Sequence, residues 1–367
     1  MRVIRSIVAA ALVLAATTGC TQINEEATVT PVDFKACLAA DQSFIEAGSV
    51  SDQALEGLQR SVLADGVTYK LSLAPKNATT PSFVTQIKDQ VAQNCDLIIA
   101  TTNRMSKAVY RVAKANPDTD FLLVDAALTN SRGQASSLPN VKQLEFSTGE
   151  ASLLAGYLAA AQSKTGIVGA IGGARVAPVQ NVLLAFKQGV ELFNAASGQA
   201  VKLVGIASEN TATWTYTDHW ASAGQQSLAA LELVSKGADV VYLVTGSTTF
   251  DLEVKTSMHY DINNLLLIGS DFDWYNLPQN ESAKPLLLAS TAKNIAGQVA
   301  AALSAAVDGD FGGGESNAYL GTLANGGVSV TEPHDVSYAA SVRSAFNSLT
   351  EQIASGTLLV DSLQNNK

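Results

Sequence analysis

Histidine and cysteine are scarce in this chain of 367 residues, which contains three of each. The histidines, His219, His259 and His334, lie far apart and show none of the spacings that hold a zinc ion. We therefore expect no metal site, and no sequence motif indicates a cofactor.

Basic residues are also few, because 23 lysines and arginines stand against 33 aspartates and glutamates. The formal net charge is −10, and removal of a leader containing Arg2 and Arg5 would lower it by two, to −12. An acidic surface repels the phosphate backbone, so the charge argues against nucleic acid as a partner.

Long apolar stretches are absent after the first residues. Arg2 and Arg5 precede an apolar run over residues 7–16, which is the pattern of a secretory signal peptide. That run is too short for a membrane helix, which needs about 20 apolar residues. No later stretch reaches this length and no G-x-x-x-x-G-K-[ST] loop occurs, so we predict neither a permease nor an ATPase.

Cys20 follows the small residue Gly19, which resembles the bacterial lipobox, where the cysteine is lipidated and becomes the new N-terminus. Thr17 departs from the leucine usual in that motif, and ordinary cleavage to a secreted protein is the alternative. We expect residues 1–19 to be a signal peptide and residues 20–32 a lipidated tether. Such an anchor would hold the chain on the outer face of the bacterial cytoplasmic membrane.

The remaining cysteines, Cys37 and Cys95, form an even pair in a chain predicted to be exported. Both lie at or near the start of predicted strands of one lobe, and an oxidising compartment would let them form a disulfide. Two buried thiols are the alternative.

Short apolar runs alternate along the chain with segments whose apolar residues recur at helical spacing. Apolar runs of this length between helices predict parallel strands buried on both faces, and hence α/β lobes with right-handed crossovers. The length of the chain suits two such lobes of about 150 residues each. The predicted strands cover residues 34–40, 67–73, 97–100, 121–124, 141–146, 167–171, 203–207, 240–244, 265–268 and 286–289.

Small or polar residues follow seven of these predicted strands, at the sheet edge where ligands bind. Each one alone is an ordinary turn or cap residue, but together they predict a polar pocket. The residues are Asp41, Thr101 to Asn103, Asp125, Gly172 and Gly173, Thr245 and Gly246, Gly269 to Asp271, and Ser290 with Lys293.

Seven segments carry a resemblance to a known family: CLAADQSFIEAGSVSDQALEGL, NPDTDFLLVDAAL, PNVKQLEFSTGEASLLAGYLAA, KTGIVGAIGG with AFKQGV, KGADVVYLVTG, LLIGSDFD and LLASTAKNIAGQV. In order and spacing they resemble the basic membrane protein (PnrA-like) family of ABC-importer lipoproteins, whose members bind nucleosides, chiefly purine nucleosides.

The resemblance implies the type I periplasmic-binding-protein fold, with two lobes joined by crossing strands. The first lobe would contain residues 33–145 and about 272–322, and the second residues 146–271 and about 323–360. Hinge closure around the ligand would signal the loaded state to an ABC permease and its ATPase. A monomer is the family's usual state.

The resemblance also implies a binding site. It places the ribose-binding carboxylate on Asp271, its companion lysine on Lys293, and the glycine that approaches the sugar on Gly246. Asp41 and Asp125 correspond to acids that line the family's pocket. A carboxylate can accept hydrogen bonds from both vicinal hydroxyls of ribose; a structural ion pair between Asp271 and Lys293 is the alternative.

Two positions depart from the family pattern. Where the family has Ser-Phe-Asn, with the ring stacked on the base, this chain has Ser49-Val50-Ser51. One stacking wall is then missing, unless Phe44 replaces it, and a base–aromatic contact contributes about 1–3 kcal/mol. The opposite aromatic residue is either Trp214 or Tyr216.

The sequence thus predicts a binding protein for nucleosides that does no chemistry. Another polar solute, such as a sugar or a modified nucleoside, and a ligand-sensing surface lipoprotein are the alternatives. An enzyme is disfavoured, because the glycines of residues 166–173 lie in and after a strand rather than in a G-x-G-x-x-G turn. The sequence suggests no Ser-His-Asp or Cys-His arrangement either.

Overall fold

The structure is a computed structural model that describes residues 31–41, 46–75, 77–206, 214–218, 221–253, 264–314, 318–334 and 337–362. Over these residues the chain forms two α/β lobes, each built on a six-stranded sheet. The prediction of two lobes with parallel sheets is confirmed.

The first lobe contains strands β1 (Lys35–Asp41), β2 (Thr68–Ala74), β3 (Leu97–Thr101), β4 (Asp120–Val124), β5 (Val141–Phe146) and β11 (Tyr319–Gly321). Their order is β11-β5-β4-β3-β1-β2, and all pairs are parallel. Helices α1 (Val50–Asp65) and α7 (Ile295–Val307) cover one face of this sheet, and α2 (Thr80–Ala92) and α3 (Ser106–Ala115) cover the other.

The second lobe contains strands β6 (Ile167–Gly172), β7 (Lys202–Val204), β8 (Val240–Val244), β9 (Leu266–Asp271), β10 (Leu287–Lys293) and β12 (Val328–Val330). Their order is β12-β10-β9-β8-β6-β7, and only the β10–β12 pair is antiparallel among these strands. The helices of this lobe are α4 (Thr148–Gln162), α5 (Ala177–Ser197), α6 (Ala223–Ser235) and α8 (Ala340–Ala354). No helix within the described ranges is long and apolar enough to cross a membrane.

Strand β3 shows why uniformly apolar runs become the central strands. Successive side chains of a strand point to opposite faces. Leu97 and Ile99 join the cluster under α1 and α7, whereas Ile98 and Ala100 join the cluster under α2 and α3. All four are fully buried, and the polar residues of this segment, Thr101 to Asn103, come at the carboxyl end of the strand.

The lobe boundaries differ from the expected ones at one place. Residues of about 272–322 were expected in the first lobe, but β10 pairs in parallel with β9 and belongs to the second sheet. Short 3₁₀ segments, Trp274–Asn276 and Pro278–Leu286, join β9 to β10, so β10 stays beside its neighbour. The chain therefore returns to the first lobe after Lys293, and it crosses again between β11 and β12.

The disulfide lies within the first lobe. Cys37 in β1 and Cys95, two residues before β3, are joined, with their Cα atoms 5.9 Å apart. Since β1 and β3 are neighbours in the sheet, the bond links adjacent strands.

Candidate functional site

The carboxyl ends of the two sheets meet at Lys293, the last residue of β10. Its ammonium nitrogen lies 2.8 Å from Oδ2 of Asp125, which follows β4, and 2.8 Å from Oδ1 of Asp271, which ends β9. The cluster therefore joins a carboxylate of the first lobe to a lysine and a carboxylate of the second. Both aspartates have positive φ, 57° and 71°, a conformation that few residues other than glycine adopt.

The electrostatics of this cluster follow from its burial, since the Lys293 side chain is only 10% exposed. Burial would lower the pKa of Lys293, but Asp125 and Asp271 outweigh it and hold that pKa above its ordinary value. Burial raises the pKa of Asp125, against the lowering effect of Lys293. Two carboxylates on one ammonium leave a net negative charge, which favours hydrogen-bond donors on a ligand.

Tyr242, in β8, supports the strand that carries Lys293. Its hydroxyl lies 2.9 Å from Ser152 Oγ on α4 and 2.8 Å from Thr291 Oγ1 on β10. Burial raises the pKa of Tyr242 to about 12, so this link is uncharged at neutral pH. Tyr242 could not be identified as a site residue from the sequence, because it lies inside an apolar run.

Asp41, at the end of β1, is fully buried and pairs with Arg104. Arg104 also donates to the carbonyl oxygen of Ala78 and lies over the ring of Phe83, 5.4 Å from its centroid. Asp41 thus lies at the predicted sheet edge but already has a cation as partner. Arg104 was not among the predicted site residues, although it directly follows the polar residues Thr101 to Asn103.

Residues Ser49-Val50-Ser51 form the start of α1. Ser49 caps the helix by accepting a hydrogen bond from the backbone of Asp52, and Val50 packs against the core of the first lobe. Ser51 is buried, with its hydroxyl 2.7 Å from Thr101 Oγ1 at the end of β3. These three residues bring no aromatic ring to the edge, and Phe44 lies outside the described residues.

The two candidate aromatics differ clearly in their surroundings. Trp214 is 3% exposed and belongs to the core of the second lobe. Tyr216 is half-buried and forms a β-bridge with Gly172 at the end of β6. A Cβ atom at Gly172 would come within 2.6 Å of the Tyr216 ring, so glycine is required for this packing. Arg175 lies over the same ring, 4.5 Å from its centroid.

Gly246 follows β8 and has φ of 86°, which favours glycine. The loop that it begins, residues 247–249, contacts the first lobe. Ser247 donates to Glu46 Oε1 and Oε2 at 3.4 and 3.3 Å, and Thr249 Oγ1 donates to the same carboxylate. Thr248 Oγ1 donates to the carbonyl oxygen of Ala47 at 2.7 Å. The segment 46–48, just before α1, therefore bridges the lobes.

Two further expectations concern lipidation of Cys20 and metal binding. Cys20, the predicted lipidation site, lies outside the described residues. In the part of the chain that the structure describes, no three His, Cys, Asp or Glu side chains are grouped as metal ligands.

Two α/β lobes whose strand ends meet around a lysine–carboxylate cluster define a two-lobed solute-binding protein with the type I periplasmic-binding-protein fold. Residues 35–362 match the family described as ABC transporter substrate-binding protein PnrA-like, and the chain belongs to that family. Its members bind small ligands and deliver them to an ABC permease and ATPase.

Named relatives agree with this assignment, and a solved structure agrees with the fold. The ABC transporter nucleoside-binding protein BmpA of Lactococcus lactis subsp. cremoris is 26% identical over 308 residues, which is 81% of each chain. Basic membrane protein A of Borreliella burgdorferi is 26% identical over 257 residues, 62% of this chain and 73% of that protein. A solute-binding protein from Aeropyrum pernix K1 superposes with a TM-score of 0.71 at 18% identity, covering 89% of this chain and 94% of that one.

Proposed function

We propose that this protein captures a nucleoside, with a purine nucleoside as the first candidate, between its two lobes. The observation that carries the proposal is the Asp125–Lys293–Asp271 cluster, which lies where the carboxyl ends of both sheets meet. The name of the Lactococcus relative, a nucleoside-binding protein, supports the same ligand class.

The cluster suits the sugar of such a ligand. Vicinal ribose hydroxyls are two donors side by side, and Asp271 offers carboxylate oxygens held in place by Lys293. Gly246 has no side chain to prevent close approach of its backbone to the sugar. Both features bind hydroxyls, so they account for the ribose and not for the base.

For the base, we infer that Tyr216 supplies the stacking ring and that Trp214 does not. Tyr216 bridges to Gly172 at the end of β6 and is half-buried, whereas Trp214 is a fully packed core residue. Arg175 lies over the same ring. When a base binds, this side chain would have to move off the ring or stack on the base itself.

We further propose that the chain is exported, lipidated on Cys20, monomeric and non-enzymatic, and that it delivers its ligand to its own permease. The support for export is the leader pattern of residues 1–19, and the support for binding without chemistry is the family.

The test is thermal unfolding of a soluble form that begins at Thr21, with purine and pyrimidine nucleosides, free bases, ribose and hexoses. Saturation at about 100 times Kd adds about 2.7 kcal/mol of stability. We expect a shift with inosine, guanosine or adenosine, and none with ribose or free base. Asp271→Asn should abolish that shift, while the exposed-site control Asp118→Asn should retain it.

A sugar is the second candidate, because Val50 packs on the core where the family has a stacking ring. A shift with a hexose or ribose, and with no nucleoside, would establish this candidate and exclude the first.

A further inference from the structure

Thr102 follows β3 at the carboxyl edge of the first sheet and has an unusual backbone. Its φ of 70° and ψ of 157° fall in a region that is essentially reserved for glycine. A β-branched residue is the least suited to such a conformation. A glycine here would relieve the strain, so the presence of threonine calls for a reason that involves its side chain.

The surroundings hold this strained residue in place. Its N–H donates to the carbonyl oxygen of Val124 at 2.9 Å, and its own carbonyl accepts from the backbone of Met105 at 3.2 Å. The first bond ties Thr102 to β4, and the second starts the 3₁₀ turn Asn103–Met105. The backbone on both sides is therefore fixed by the fold.

The side chain has a second unusual property. Thr102 is 8% exposed, and its hydroxyl oxygen is buried without a hydrogen-bond partner among the described residues. Buried hydroxyls nearly always have a partner, because desolvating one without compensation is unfavourable. Five other buried side chains also have a polar atom without a partner among the described residues, but Thr102 alone of the six has a positive φ. This combination points to a partner from outside the protein.

The position of Thr102 in the sheet indicates that partner. Strand β3 lies between β1, which ends in Asp41, and β4, which is followed by Asp125. Thr102 is thus between the Asp41–Arg104 pair and the Asp125–Lys293–Asp271 cluster, on the edge where the lobes meet.

We propose that Thr102 is a specificity-determining residue whose hydroxyl hydrogen-bonds to the bound ligand. The proposal rests on the proposed function of ligand capture between the lobes. Since Asp271 and Lys293 suit the sugar, Thr102 would contact a polar atom beyond the sugar, such as a ring nitrogen or carbonyl oxygen of a base.

Three variants test the role of the hydroxyl. Thr102→Val keeps the shape and the strain but removes the hydroxyl, and we expect its Kd for the nucleoside that binds best to rise at least tenfold. Thr102→Ser keeps the hydroxyl and should bind within about threefold of wild type. Thr102→Gly should bind as weakly as the valine variant, yet unfold at a higher temperature than the unliganded wild type. Titration calorimetry and thermal unfolding give the two readouts.

Asn94→Gly is the matched control, because Asn94 also has a positive φ, 56°, but lies after α2 rather than at the strand ends. It should leave Kd unchanged. A valine variant that binds as wild type overturns the proposal. If the wild-type protein binds a sugar and no nucleoside, the proposed ligand is wrong, and the same variants measured with that sugar still decide the role of Thr102.

Discussion

Lys293 is the residue at which the two lobes are joined electrostatically. Replacement by methionine would leave two mostly buried carboxylates without their cation, and breaking a buried pair is strongly destabilising. Because the groups are 10–24% exposed, we expect a loss of about 2–4 kcal/mol in the free energy of unfolding at neutral pH. Urea unfolding measures this loss.

The control for this variant is Lys236→Met, which removes an exposed lysine whose side chain is 47% accessible. Its effect should stay within about 0.5 kcal/mol. Equal stability of the two variants would show that the ammonium of Lys293 does not stabilise the fold through Asp125 and Asp271.

Asp125 should make stability depend on pH. Burial raises its pKa above the ordinary value of 3.8, so the folded chain keeps this proton to higher pH than the unfolded chain does. Stability from this group is therefore lost as pH rises from the ordinary pKa through the folded one. Asp125→Asn cannot titrate, so wild type should gain stability relative to the variant between about pH 7 and pH 4.

Urea unfolding at both pH values measures that gain. Asp118→Asn, at an exposed position, is the control for removal of one carboxylate from the surface. A constant difference between wild type and Asp125→Asn would contradict the expectation.

At the scale of elements, the segment 46–48 and the loop 247–249 form a hydrogen-bonded contact between the two lobes. Hydrogen bonds from hydroxyls to a charged carboxylate are stronger than those to a neutral group. Glu46→Gln should therefore raise the rate of ligand release by about three- to tenfold, corresponding to about 1 kcal/mol. Stopped-flow displacement of the bound solute measures the rate.

Glu281→Gln is the matched control, because Glu281 pairs only locally with Lys284 on the surface and its side chain is 75% exposed. It should release ligand at the wild-type rate. An unchanged rate for Glu46→Gln would mean that this contact does not hold the lobes together.

The apolar runs of the sequence predicted strands β1 to β10. For the central strands such as β3 the reason is burial on both faces, which demands apolar residues at nearly every position. The same runs end in Asp41, Asp125, Asp271 and Lys293, so the edge residues could be identified too. Strands β11 and β12 were missed, since three residues such as Tyr319–Gly321 carry no detectable pattern. Strand β7 is equally short, but the apolar run that predicted it extends to residue 207.

Other features depend on contacts distant in sequence and could not be predicted. The lobe that holds β10 is decided by its pairing with β9, not by its own residues. The different environments of Trp214 and Tyr216 depend on Gly172, over 40 residues earlier, which admits one ring at the sheet edge. The strain at Thr102 is a property of its dihedral angles, which a Thr-Thr dipeptide does not reveal.

At the scale of the molecule, the disulfide should determine how firmly the first lobe is folded. Cys37 and Cys95 are 58 residues apart, and closing such a loop in the unfolded chain contributes up to about 4 kcal/mol. The double variant Cys37→Ala, Cys95→Ala should lose a large part of that stability. Urea unfolding of the double variant, and of wild type with and without reductant, measures it.

A reduced wild type that is as stable as the oxidised protein would show that sheet packing alone determines the stability of this lobe. Reductant should not change the stability of the double variant. A change seen only in wild type is then due to the disulfide and not to the reagent itself.

The parallel direction of β1 has a consequence for how a tethered molecule would sit on a membrane. Lys35 begins β1 at the edge of the first sheet opposite the carboxyl ends of its strands, and seven residues of strand span about 23 Å. With Cys20 lipidated as proposed, the ten residues between Cys20 and Pro31 could extend at most about 35 Å. This tether is longer than β1. A chain anchored through it could therefore lie on its side on the membrane, with the cleft at the height of a transporter's opening.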